Sequence, residues 1–330
     1  MALLMMDGFD AGDMATKWVN GANAGSSTGT RFGAGRAATI VSQTFYRRFP
    51  AASQIFVGLA CSVSNLDGTI RPYVSLYGDS GATAHLTVAY SNTALNLYRG
   101  APGGVLLASS PGVFTATSWY SLEISATIAD SGGTCVVKLN GATVINFTGD
   151  TKNGGTNTTI DALYLGANGG YAAYFDDVYV CDATGSAPYN TFLGDVRIHT
   201  LSPNGAGSST QFTPSSGANY TTVDELPYSA TDYVASGTVG QRDMYTMADL
   251  PASTGNILAV QNNAIAKRTD ATAISLKTAI KSGGNLYYGS TVNLGTADST
   301  LTDLYTVNPA TTTAWTAADV NSLEAGFEVA

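Results

Sequence analysis

The sequence predicts an all-β protein, and three observations carry that prediction. Short runs rich in Val, Ile, Leu, Tyr and Phe recur along the chain, separated by Gly-, Asn- and Asp-rich turns. That is the pattern of antiparallel strands joined by tight turns. Charged residues make up only 12% of the 330, about half the usual ~25%. Gly, Ala, Ser, Thr and Asn fill the difference, a composition that suits strands and turns rather than a helical bundle. Tyr (18) and Phe (11) are spread over the whole chain, which separates it from a disordered polar sequence.

The strand-like segments come in close succession from the N-terminus: A-T-I-V-S (38–42), Q-I-F-V-G-L-A-C-S-V (54–63), I-R-P-Y-V-S-L-Y (70–77) and H-L-T-V-A-Y (85–90). They continue with A-L-N-L-Y-R (94–99), W-Y-S-L-E-I-S-A (119–126), C-V-V-K-L-N (135–140), T-V-I-N-F (143–147), A-L-Y-L-G (162–166) and Y-A-A-Y-F-D-D-V-Y-V-C-D (171–182). L-N-G-A (139–142) is a compact hairpin signal. Many short strands at this spacing indicate an antiparallel sandwich or barrel over residues 1–182.

A linker is expected at 183–190, A-T-G-S-A-P-Y-N, and a second β-rich domain over 191–330. It opens on a strand-like G-D-V-R-I-H-T-L, runs through Ser/Gly/Asn/Thr-rich sequence, and resumes strand patterns at 242–247, 256–261, 264–268, 273–280, 286–289 and 301–307. Near the end, Thr316 and Asp319 form a near capping box, with Trp315 and Val320 placed for a hydrophobic staple and Gly326 as a stop. One short helix is therefore predicted at about 317–325, followed by a final strand F-E-V-A.

Charge and cysteine usage exclude several functions. The net charge is −9, and both halves of the chain are acidic, so a nucleic-acid partner is not expected. Cys61, Cys135 and Cys181 stand in apolar strand contexts with no C-x-x-C pair. They read as three buried free thiols, in keeping with folding in a reducing cytosol. The N-terminus M-A-L-L-M-M-D-G-F-D lacks the basic start and the apolar length of a signal peptide. No stretch approaches the ~18–20 apolar residues of a membrane span, so no membrane insertion is expected.

Few residues suggest chemistry. His85 and His199 fall in different predicted domains, and neither a G-x-S-x-G elbow, zinc spacing nor a phosphate loop occurs. Paired carboxylates serve glycosidases on β-sandwiches, but the first domain holds a single glutamate, Glu123. On a regular strand Asp176 shares a face with Tyr174, Val178 and Val180, and Asp177 with Phe175, Tyr179 and Cys181. The adjacent aspartates therefore point apart. Asp7, Asp10, Asp176 and Asp177 are the candidate ligands should a calcium ion bind. Backbone N–H groups, or an arginine such as Arg31 or Arg36, would satisfy a buried carboxylate equally well. No catalytic residue and no other cofactor is expected. Tyr73, Tyr77, Tyr98, Tyr171 and Tyr174 are candidate glycan contacts, each with the alternative of packing on its strand.

The ordered segments D-G-F-D, W-Y-S-L-E-I, V-V-K-L-N-G, V-I-N-F, I-D-A-L-Y-L-G and Y-F-D-D-V-Y-V resemble those of a concanavalin-A-like (laminin-G-like) jelly roll. The resemblance implies that the first and last strands are neighbours, with G-F-D beside F-D-D-V. M-D-G-F-D (6–10), F-D-D-V-Y-V (175–180), N-x-F-L-G-D-V-R-I (190–198), G-Q-R-D-M-Y (240–245) and N-P-A-T-T-T-A-W-T-A-A-D-V-N-S-L-E-A-G (308–326) extend it further. Together they resemble tailed-bacteriophage virion proteins that join such a domain to a second β-rich region. That likeness implies a non-enzymatic structural protein, assembled in the host cytoplasm and located on the virion as a tail-associated fibre, spike or adhesion subunit. Its partners would be other virion proteins, further copies of itself and host surface glycans. A capsid decoration protein is the alternative, and a carbohydrate-active β-sandwich enzyme the second.

Overall fold

The computed structural model describes residues 3–27, 31, 35–167, 169–252 and 254–330. The chain divides into two compact units. Unit 1 comprises Met1–Phe9 and Trp18–Ile198; unit 2 comprises Asp10–Lys17 and His199–Ala330.

Unit 1 is an antiparallel jelly-roll sandwich. Its strands are β1 (Leu3–Asp7), β2 (Gly25–Ser27), β3 (Ala37–Ile40), β4 (Thr44–Ala52), β5 (Gln54–Val63), β6 (Arg71–Gly78) and β7 (Thr83–Ser91). They continue with β8 (Ala94–Arg99), β9 (Val105–Ser110), β10 (Tyr120–Thr127), β11 (Gly133–Leu139), β12 (Ala142–Gly149), β13 (Ile160–Gly166) and β14 (Ala173–Asp182). One sheet runs β12-β11-β10-β5-β14-β3-β2, with β1 also paired to β14; the other runs β4-β13-β6-β7-β8-β9. Asp7 stands opposite Val178, so the first and last strands are neighbours as the jelly-roll resemblance implies.

The inner faces of the two sheets meet through aromatic rings. Phe45 of one sheet packs edge-on to Phe175 of the other at 6.2 Å, and Tyr73 approaches Phe175 at 5.1 Å. Trp18 and Phe9 close the same cluster. Fully burying side chains of this size supplies most of the driving force for the sandwich. Cys61, Cys135 and Cys181 are free and buried, and burial pushes each thiol up to about 12.

Unit 2 is a second β-sandwich-like body. Its strands are β15 (Pro203–Thr210), β16 (Thr213–Pro214), β17 (Val234–Ala235), β18 (Arg242–Met247), β19 (Val260–Ala266) and β20 (Ser275–Ser282), then β21 (Asn285–Tyr288), β22 (Val292–Asn293), β23 (Ser299–Tyr305) and β24 (Glu324–Val329). The main sheet runs β15-β18-β24-β20-β21, with β22 on β20, while β19 and β23 form a separate two-stranded ribbon. Asn262 on the ribbon donates to the Ala279 and Gly326 carbonyls of the main sheet at 3.0 and 3.3 Å. Phe212, Leu276, Leu294, Leu301 and Val329 make one core, and Ile280, Trp315, Val320, Leu323 and Ala325 the other.

The predicted C-terminal helix spans Ala317–Asn321, and its capping box is complete: Thr316 caps the Asp319 N–H while the Asp319 carboxylate receives the Thr316 N–H. It stops short of 325 because Glu324 already lies in β24. A second, single-turn helix at Met14–Lys17 has no counterpart in the sequence reading. The strand expected at G-D-V-R-I-H-T-L is absent: residues 191–202 carry no strand, and the first one of unit 2 is the Gly/Ser-rich β15.

The first unit also reaches past the expected linker, to Ile198. Leu193, Gly194 and Ile198 donate their backbone N–H groups to Tyr179, Glu123 and Asp177, which ties this segment to unit 1.

Candidate functional site

Three side chains on one sheet of unit 1 gather around residues 192–198. Glu123 on β10 and Tyr179 on β14 both stand opposite Gly58 of β5. The Tyr179 hydroxyl donates to Glu123 Oε1 at 2.6 Å. That same oxygen accepts the Gly194 N–H at 2.8 Å, and the Tyr179 oxygen accepts the Leu193 N–H at 3.0 Å. Gly58 is required here, because a Cβ would lie 2.0 Å from the Tyr179 ring. Phe192 packs edge-on against Phe56 at 5.4 Å and lies under the Lys138 ammonium at 4.2 Å. Burial, then the hydrogen bond to Glu123, raises the Tyr179 pKa. The phenol stays protonated as a donor.

Asp177 completes the set. Its Oδ1 accepts the Ile198 N–H at 2.7 Å. Regular alternation fails at this point: Asp176 pairs with Ala60 but Tyr179 with Gly58, so three residues of β14 span two of β5. The bulge places Asp177 at φ 52°, a left-handed conformation that aspartate tolerates better than most residues. Downstream of it the faces exchange. Val178 and Val180 join Phe175 on the inner side, while Tyr179 and Cys181 join Asp176 on the outer side. The face assignment expected from strict alternation is thereby corrected. Both aspartates are buried.

Three of the four candidate calcium ligands accept N–H groups of the protein, Asp177 that of Ile198. Asp7 accepts the Phe9 N–H at 3.0 Å and the Trp18 indole N–H at 2.7 Å. Asp176 accepts the Asp177 N–H at 2.8 Å, and Asp10 belongs to unit 2. Among the described residues, no group of three or more His, Cys, Asp or Glu is placed to hold a metal ion. Arg31 pairs with Asp195. His85 is buried in unit 1, accepting the Asn153 N–H at 3.3 Å; burial lowers its pKa, against Asp79 and Asp161.

The candidate glycan-contact tyrosines separate by depth. Tyr73 and Tyr98 are buried, and Tyr73 is enclosed by Tyr90, Phe114 and Phe175. Neither offers a ring face to a ligand. Tyr171 lies under the Arg71 guanidinium at 4.7 Å, and Tyr174 lies 6.4 Å from Trp119. Tyr77 is the one that forms a larger feature: it stacks on Tyr164 at 3.8 Å, and Tyr164 stacks on Tyr46 at 4.3 Å. The three half-buried rings make a row across β6, β13 and β4. The sequence reading missed Tyr46 and Tyr164 because cross-strand register, not spacing along the chain, brings them together. Both faces of Tyr164 are covered, and its hydroxyl donates to the Gly81 carbonyl at 2.8 Å.

In unit 2, Asp243 of the G-Q-R-D-M-Y motif is an acceptor hub. Oδ1 takes the Gln211 and Phe212 N–H groups at 2.6 and 2.8 Å, and Oδ2 takes the Asn219 amide and the Tyr245 hydroxyl. Gly326 of the last motif passes so close that a Cβ would lie 1.9 Å from the Asp243 carbonyl oxygen.

No known family matches the chain, and no curated protein does. Among solved structures it is similar to a cellulose-induced protein, Cip1, at 12% identity and TM-score 0.41, covering 58% of this chain and all of that one. An alginate lyase, Aly36B, solved with an alginate trisaccharide, is similar at 13% identity and TM-score 0.40, over 54% of this chain and 97% of that one. A carbohydrate-binding module, CBM66 from Bacillus subtilis, is similar at 11% and 0.35, over 51% and 96%. These likenesses do not bear on what this chain binds.

Proposed function

We propose that the chain is a non-enzymatic structural protein of a tailed-bacteriophage virion, a tail-associated fibre, spike or adhesion subunit. The observation that carries this reading is what the virion-like motifs do. F-D-D-V-Y-V supplies Asp177 and Tyr179, and F-L-G-D-V-R-I supplies the N–H groups of Leu193, Gly194 and Ile198 that they bind. G-Q-R-D-M-Y supplies the Asp243 hub, and the C-terminal motif supplies the capped helix and Gly326. The residues that carry the resemblance fasten backbone to backbone. Glu123, the acid an enzyme would need, spends one oxygen on two hydrogen bonds inside the protein.

The test is a cryo-electron microscopy map of particles of the phage that encodes the chain. The proposal expects density for both units on the tail. Density on the head surface would replace the tail assignment with capsid decoration, and particles lacking the chain would overturn the virion reading.

Host-glycan contact is the finer part of the proposal, and the Tyr46–Tyr164–Tyr77 row favours it. Aromatic rings that pair an apolar body with a hydroxyl suit a ligand with apolar C–H faces and polar rims. A glycan array probed with the full chain and with Tyr77→Ala checks it. Binding lost in the variant supports the row, and equal binding by both proteins removes it.

A further inference from the structure

His85, on β7, is fully buried, and its two ring nitrogens are in opposite situations. Nδ1 accepts the Asn153 N–H at 3.3 Å. Nε2 has no hydrogen-bond partner among the described residues. It faces Gly78 of β6, where a Cβ would lie 2.9 Å from it. A ring nitrogen that accepts carries no proton, so the imidazole is neutral with its hydrogen on Nε2.

Asn153 begins the exposed stretch 153–156 of the segment that joins β12 to β13. Ahead of it the segment is anchored to its own sheet. Thr151 is buried, donating its N–H to the Ala129 carbonyl at 2.9 Å and its hydroxyl to the Thr127 carbonyl at 2.8 Å. Lys152 pairs with Asp130 at 2.7 Å, and Asp150 pairs with Arg99. Asn153 then crosses to β7 at two points: its N–H meets His85 Nδ1, and its side-chain amide donates to the Ala84 carbonyl at 2.9 Å.

A protonated imidazole has two donors and no acceptor. With the segment in place, an Nδ1–H would point at the Asn153 N–H, donor against donor, and the Nε2–H would stay without an acceptor. Burying such groups unsatisfied is costly. The charged groups around the ring divide. Asp79 in the turn after β6 and Asp161 on β13 favour the cation, and Lys152 opposes it; Arg99 on β8 is paired with Asp150. The Asp161 oxygens accept the Ser80 and Gly81 N–H groups at 2.7 and 2.9 Å. Burial outweighs the two aspartates and leaves the His85 pKa below its ordinary 6.5.

We infer that His85 is a proton-operated latch on residues 153–156: neutral, it holds Asn153 against β7, and protonated, it releases it. Release exposes the ring to water, which can accept from both N–H groups. The open form takes up its proton at the ordinary value of 6.5 and the closed form only below it. The closed form is therefore fully favoured above that value. As pH falls it loses ground, by up to about tenfold per pH unit until its own pKa is reached.

Amide exchange at Asn153 in the full chain, expressed as protection relative to the intrinsic rate at each pH, tests the latch. Wild-type protection should fall roughly tenfold from about pH 7 to about pH 5. In His85→Asn, whose Oδ1 takes the place of Nδ1 and does not titrate, it should stay constant over that range. Nitrogen-15 shifts of the wild-type ring should place its hydrogen on Nε2 at neutral pH. Protection that is absent or flat in the wild type, an equal fall in His85→Asn, or a hydrogen on Nδ1 would each overturn the proposal. The two wild-type readings decide it whether or not the variant folds.

Discussion

Asp177 holds the Ile198 N–H at 2.7 Å from a left-handed backbone position inside a strand. Two demands therefore meet at one residue: a conformation that few side chains adopt, and an acceptor at short reach. Substitutions separate them. Asp177→Asn keeps the tolerance for positive φ and an acceptor oxygen, and should cost within about 1 kcal/mol. Asp177→Val loses the acceptor and forces a β-branched residue into the left-handed region, so it should cost roughly 2–4 kcal/mol. Urea unfolding followed by a unit 1 probe ranks the two; equal costs would contradict this division of roles.

That bulge also marks where sequence reasoning stops. Segments such as 54–63 and 94–99 are legible because their β-favouring apolar composition is local to the segment, and they appear as β5 and β8 with those bounds. The Thr316–Asp319 box is legible because capping is local in sequence. The bulge is not, since it is fixed by the partner strand at Ala60 and Gly58. The tyrosine row depends on the register of three strands. β15 has the composition of a loop, P-N-G-A-G-S-S-T, and becomes a strand by pairing with β18. Each of these is decided by a tertiary partner.

The Asp243 hub makes a second prediction. Asp243→Ala leaves two backbone N–H groups, the Asn219 amide and the Tyr245 hydroxyl without their shared acceptor. Buried donors left unsatisfied are expensive, and the loss should reach roughly 3 kcal/mol or more. Gly326→Ala should also destabilise unit 2, through collision with the Asp243 carbonyl. Amide exchange across β18 and β24 reads both, and protection equal to wild type would show that the hub is dispensable.

Acid should loosen unit 2 through Glu328. Burial alone would raise its pKa, but hydrogen bonds from Lys277, Tyr288 and Arg242 outweigh burial and leave it lowered. A carboxylate depressed in the folded state contributes stability that is present above the ordinary glutamate value of 4.5. That contribution is lost as pH falls through the folded value. Unfolding of the full chain from pH 7 to 3 should show unit 2 weakening below that point, and less steeply in Glu328→Gln. Identical pH profiles for variant and wild type would contradict the assignment.

The three thiols give a direct check on burial. With Cys61, Cys135 and Cys181 pushed up to about 12, the native chain should not react with a thiol reagent at neutral pH. Three equivalents should titrate after denaturation. Rapid native reaction of any one would place it at the surface.

The central claim is that Glu123, Asp177 and Tyr179, on β10 and β14 of one sheet of unit 1, fasten residues 192–198 rather than perform chemistry. Hydrogen exchange of the Leu193 and Gly194 amides in the full chain, wild type against Glu123→Ala, tests it most directly. The account predicts both amides protected in the wild type and exchanging at least about tenfold faster in the variant, the factor that ~1.4 kcal/mol of local stability represents. Amides that exchange freely in the wild type, or protection untouched by the loss of Glu123, would contradict it.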